Sequence, residues 1–275
     1  MRAILAAREP LPVEILQRLF NWQDEELRDF TRPLASLFPV TSESGYEVIK
    51  PYHKSLADWL ANDASAGTFY VSSVEGHRLL GGLCWQEYAW DKGARYPYVF
   101  RHLISHLTQC ESWNELRIVF GDADFLQACI EGRRFHVLAD EWKCAVRKLG
   151  QELDEDSMWP MLAVLFERGK TGIRFANYDD GMRWMLQAFE LSVEAAETNS
   201  LANSLLLRLF EYSREPFRLQ DFLRSGASKE GSYGLRYSLV PVCVEGLRRL
   251  KDGGVALDQF FEQWLNELEN DEAYP

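Results

Sequence analysis

The chain has 275 residues, 47% of them apolar, and a formal net charge of −12. Length and apolar content fit one large or two ordinary globular domains and exclude a disordered polymer. The acidic balance repels phosphate backbones and anionic lipid, which disfavours general nucleic-acid and membrane-surface binding.

Residues 1–8 read as the last turns of a helix that Pro10 and Pro12 break. They meet Arg2 and Arg8 before an apolar core forms, so no signal peptide is expected. Val13 to Phe20 is a short amphipathic helix with Pro12 suited to its start. Asp24 can cap the next helix, which runs to about Leu37 and which Pro33 kinks or shortens. Phe38-Pro39-Val40 and Tyr46-Glu47-Val48-Ile49 are extended pieces around a hairpin loop, Thr41-Ser42-Glu43-Ser44-Gly45. Pro51 ends the second piece, and His53 or Ser55 enters a helix whose Leu56, Trp59 and Leu60 share a face. His53 therefore sits at a strand–helix junction. Ala61 to Gly67 is a polar turn and Thr68 to Val71 is extended. From Gly76 onward the period is helical: 76–89, 98–109, 112–120, 122–132, 135–149, 157–168, 180–198 and 201–212. Short loops between consecutive helices predict antiparallel packing in a solenoid-like superhelix, although no strict repeat period occurs. Ser225 to Gly234 is a glycine- and serine-rich loop, expected to be mobile. Helices over 239–250 and 257–269 and an acidic tail over 270–275 follow it.

Few residues suggest chemistry. His102 and His106 are an i, i+4 pair that could share a metal, but no third ligand is evident, and helix packing is the favoured reading. The cysteines Cys84, Cys110, Cys129, Cys144 and Cys243 are odd in number and contain no Cys-x-x-Cys. They read as reduced core thiols of a cytoplasmic protein. Gly169-Lys170-Thr171 lacks the first glycine of a P-loop, with Val164 in its place, and reads as a helix C-cap. Asp154-Glu155-Asp156 reads as a solvated loop and cap. Arg133-Arg134 and Arg248-Arg249 are small basic points without a nucleic-acid groove. No nucleophile elbow, Cys–His pair or paired-carboxylate signature appears, so no enzyme, cofactor or metal is expected. The aromatic groups Trp85, Tyr88, Trp90 and Phe260, Phe261, Trp264 are read mainly as core, with partner docking as the alternative for the last helix.

Several segments carry a family likeness in order and spacing. Ile49-Lys50-Pro51-Tyr52-His53-Lys54-Ser55-Leu56-Ala57-Asp58-Trp59-Leu60 resembles the end of the winged-helix domain of STAND NTPases, the NACHT and apoptotic-protease-activating-factor-like switch proteins. Ala6 to Pro12, Leu34 to Val40, Glu75-Gly76-His77-Arg78-Leu79-Leu80, Phe100 to Leu103 with His106-Leu107, Trp113 to Leu116 and Asp124 to Ala128 are similar to segments around it. Met185 to Ser192 and Leu201 to Leu209 are similar to later helices that precede a propeller in that family. The likeness covers roughly residues 1–240.

The resemblance implies a mainly α chain: a winged-helix domain with a β-hairpin over 1–65, a helical arm over 66–224, and a loop with C-terminal helices over 225–275. The family's ATPase core and its propeller have no counterpart here. The implied function is a non-enzymatic regulatory and protein-interaction module that works as a fragment, or in trans with a partner ATPase core or effector. His53 matches the family histidine that contacts the β-phosphate of ADP, a contact that requires a partner ATPase core. The alternative is a standalone adaptor or inhibitor that holds an effector through its helical surface. A DNA-binding regulator is the weakest reading, because Asp24, Glu25, Glu26 and Asp29 outweigh Arg28 and Arg32 on the equivalent of the recognition helix.

Overall fold

The computed structural model describes residues 1–43, 45–91, 97–131, 135–149, 155–174, 178–196, 200–214 and 233–269. These are mainly helical, with one small three-stranded antiparallel sheet among them. The chain divides into two compact units, Met1–Leu116 and Arg117–Pro275.

The first unit opens with α1 (Arg2–Ala6), β1 (Leu11–Pro12), α2 (Val13–Phe20) and α3 (Asp24–Thr31). Asn21 ends α2 in the left-handed region, which asparagine tolerates, and its N–H reaches Arg18 and Gln17 carbonyls. The cap of α3 is Gln23 rather than Asp24, because Gln23 and Glu26 satisfy each other's backbone N–H groups as a capping box. Pro33 cannot donate, and α3 gives way at Arg32 to a 3-10 turn, short of Leu37. Next come β2 (Val40–Glu43) and β3 (Tyr46–Ile49), paired as far as Glu43 opposite Tyr46. The hairpin turn is thus two residues, not the five expected, with Gly45 at φ 84°. β3 is central, and Leu11 and Pro12 pair with Ile49 and Val48 on its other side. A two-residue strand carries no alternation, so the sequence gives no sign of β1. Leu11, Leu16, Phe38, Val48 and Ile49 close this core beside Ile4 and Ile15.

α4 (Lys54–Leu60) and α5 (Asp63–Ala66) follow, then a 3-10 turn over Gly67–Phe69. The Asn62 side chain accepts the Ser65 N–H at 3.1 Å, which winds the expected polar turn and extended piece into helical turns. α6 (Ser73–Asp91) and α7 (Pro97–Gln109) pack on each other, and α1 packs on α6 at Gly76. α8 (Trp113–Phe120) spans the division between the units.

The second unit holds α9 (Ala123–Glu131), α10 (Phe135–Leu149), α11 (Glu155–Arg174), α12 (Tyr178–Ala196), α13 (Ser200–Arg214), α14 (Tyr233–Asp252) and α15 (Gln259–Glu269). α12 is its hub, touching α10, α11, α13 and α14. An aromatic seam runs from Phe166 to Phe189 to Phe210 and on to Phe261 and Trp264, with centroids 5.0–6.3 Å apart. The core reading of Phe261 and Trp264 therefore holds. α14 begins at Tyr233, inside the stretch expected to be a loop, while residues 225–232, Arg133-Arg134, Asp154 and the tail over 270–275 lie outside the described residues.

Candidate functional site

His53 lies between β3 and α4 and caps the helix. Its backbone is extended, at φ −141° and ψ 144°, as an N-cap residue requires. Its ring is exposed, and Nδ1 accepts the Ser55 N–H at 3.2 Å and faces the Ser55 hydroxyl at 2.8 Å. A nitrogen that accepts from a backbone N–H carries no proton, so the neutral ring holds its proton on Nε2. Among the described residues Nε2 makes no protein hydrogen bond, and the exposed ring leaves its N–H to donate elsewhere. The junction is anchored by the Tyr52 N–H, which donates to the Leu37 carbonyl at 2.7 Å. Tyr52 itself is 76% exposed, and Trp59 lies tilted against exposed Phe69, with ring centroids 6.0 Å apart.

The second polar centre of this unit is buried. His77 on α6 and His106 on α7 meet Nδ1 to Nδ1 at 2.8 Å. The Tyr98 hydroxyl lies 3.0 Å from His106 Nε2, and His102 Nε2 lies 3.4 Å from a Glu9 carboxylate oxygen that also pairs with Arg101. The Arg8 backbone takes one lone pair of the Tyr98 oxygen, and we assign the hydroxyl proton to His106 Nε2. His106 must then donate from Nδ1, and His77 accepts. Burial, then the positive charge of Arg8, holds His77 down to about 4. Burial and the neighbouring imidazoles hold His106 well below its ordinary value. Both rings are neutral at pH 7. Among the described residues no group of three or more His, Cys, Asp or Glu is arranged to hold a metal.

The i, i+4 pattern placed His102 and His106 together on α7, but not with His77 and Tyr98. His77 comes from another helix, and only the α6–α7 packing joins them. The signal open to sequence reading was two polar imidazoles in an otherwise apolar helix face beside Leu103 and Leu107.

Gly169-Lys170-Thr171 lies inside α11, which runs on to Arg174. Gly169 is therefore no C-cap. A Cβ there would meet the Gly181 carbonyl at 2.8 Å and Met185 at 2.6 Å, so the glycine permits the close approach of α12. Lys170 pairs with Glu167 and lies 5.2 Å over the Tyr212 ring, away from any phosphate-cradling geometry. A cavity of about 120 Å³ beside Phe135, Lys143, Glu190 and Glu194 is small against the ~300 Å³ at which ligand pockets begin.

Comparison with family models finds no match, and neither curated proteins nor solved structures give one. Among the described residues no helix is long and apolar enough to cross a membrane.

Proposed function

We propose that the chain is a non-enzymatic regulatory module that acts through protein contacts, of the kind found as the winged helix and helical arm of STAND signalling ATPases. The observation that carries the reading is the position of His53. A strand and a helix hold it from both sides, Nδ1 is occupied by the cap, and the ring is exposed. An aimed donor suits a phosphate oxygen supplied by a second protein. The element order supports the same reading: α1, β1, α2, α3, β2, β3, with β1 on β3, is the order a winged helix uses. The helices that follow are read as the counterpart of the family's helical arm, with an ATPase core or an effector as partner.

The acidic first turn of α3, with Asp24, Glu25 and Glu26 exposed, speaks against a DNA-reading helix. The second reading, a standalone adaptor or inhibitor, rests on exposed Tyr52, Trp59, Phe69 and Tyr70 on one stretch of the first unit. Nucleotide separates the two. In the first reading, association with an ATPase partner strengthens with ADP and weakens in His53→Ala. In the second, neither changes it.

A further inference from the structure

We propose that Tyr98, His106 and His77 form a proton-operated latch that holds residues 8–9 and α7 onto α6, and that acid opens it. The latch joins three stretches of chain far apart in sequence. Residues 8–9 contribute the Arg8 backbone and the Glu9 carboxylate, α6 contributes His77 and Cys84, and α7 contributes Tyr98, Arg101, His102 and His106. Each hydrogen bond has a fixed direction while the rings are neutral: Tyr98 donates to His106 Nε2, and His106 donates from Nδ1 to His77. His106 is fully buried and His77 half-buried, so His77 is the end a solvent proton reaches first.

A proton on His77 Nδ1 stays in the bond only if His106 turns to its Nε2–H tautomer and the Tyr98 oxygen accepts; a second proton, on His106 Nδ1, sets two N–H groups against each other across 2.8 Å. A proton on His106 Nε2 reverses the Tyr98 bond, so that the Tyr98 oxygen must accept from both that N–H and the Arg8 backbone. Arg8 adds a like charge to either cation. Glu9, the nearby anion, is held by Arg101. Thiol Cys84 is kept protonated by burial and supplies no counter-charge. The open state, in which the rings meet water, therefore takes up protons more readily than the closed one. Because the folded-state values are depressed, the latch is at full strength above the ordinary histidine value of about 6.5 and weakens as pH falls towards about 4. The His77 shift raises the opening constant about tenfold between pH 7.5 and 5.5, and His106 adds to it in the same direction. The device does not depend on which partner the module binds.

The test is amide hydrogen exchange of the full chain at pH 7.5 and 5.5, corrected for the intrinsic rate, with histidine Cε1 resonances followed over the same range. The expected result is a selective loss of protection in α1, α6 and α7 at pH 5.5, with α11 to α13 unchanged. His77→Gln should remove about tenfold of the pH effect, and His106→Gln should reduce it further in the same direction. If His106→Gln fails to fold, the half-buried His77→Gln and the wild-type resonances decide. Equal loss of protection throughout both units, or His77 and His106 protonating near 6.5 without change in α7 exchange, would overturn the latch.

Discussion

The hydroxyl of Tyr98 and Nε2 of His106 are 3.0 Å apart, about two helical turns apart along α7 and both buried. Tyr98→Phe keeps the ring and removes the hydroxyl that hydrogen-bonds His106 Nε2. A buried acceptor left without a donor costs about 1–3 kcal/mol. Urea denaturation should show a loss in that range at pH 7.5, with an unchanged slope.

Gly76 and Gly82 lie on the same helix and should respond oppositely to alanine. A Cβ on Gly76 would meet the Arg2 carbonyl at 2.1 Å and the Ala6 Cβ at 2.7 Å, whereas one on Gly82 meets nothing within 4 Å. Gly76→Ala should destabilise by about 1–3 kcal/mol by forcing α1 away. Gly82→Ala should stabilise by about 0.5–1 kcal/mol through helix propensity and a less flexible unfolded chain. Equal effects of the two would contradict the α1–α6 contact.

The thiols should divide into two classes. Cys84, Cys129 and Cys243 are buried, Cys84 and Cys129 are both pushed up to about 12 by burial, and Cys243 is raised further by the same cause. Cys110 and Cys144 are partly exposed. Thiolate is the reactive form, so alkylation of native protein at pH 8 should label Cys110 and Cys144 first, and peptide mass spectrometry reads the order. All five should react once the chain is unfolded without reductant. Fast labelling of Cys84 would mean that the α6–α7 core is open in solution.

Lys170 should be irrelevant to nucleotide. Its ammonium is engaged by Glu167 inside α11. Purified protein should show no ATP turnover above background, and Lys170→Ala should leave that value where it was. Turnover lost in the variant would give the Gly169-Lys170-Thr171 triplet a role that its helical setting does not supply.

The sequence made the helices after residue 73 legible because long amphipathic or buried segments repeat their pattern over many turns. It missed β1 because two residues that add to a sheet edge leave no period. It placed a cap at Gly169 because a glycine needed for close helix approach and one needed for a left-handed turn look alike in a string of letters. The junction position of His53 is legible because Pro51 and the apolar spacing of Leu56, Trp59 and Leu60 bracket it locally. The His77–His106–Tyr98 chain was not found, since its partners are joined by tertiary packing alone.

His53→Ala removes a cap from an exposed, seven-residue helix and should cost about 0.5–2 kcal/mol, which leaves the fold intact. That makes it a usable probe of the central claim. The decisive measurement is the affinity of the chain for an ATPase partner co-purified from its native host, by titration with and without ADP, for wild type and His53→Ala. The account predicts tighter binding with ADP, and a loss of that gain by about 1–3 kcal/mol in the variant, the worth of one phosphate hydrogen bond. Binding that ignores both ADP and His53 would contradict it.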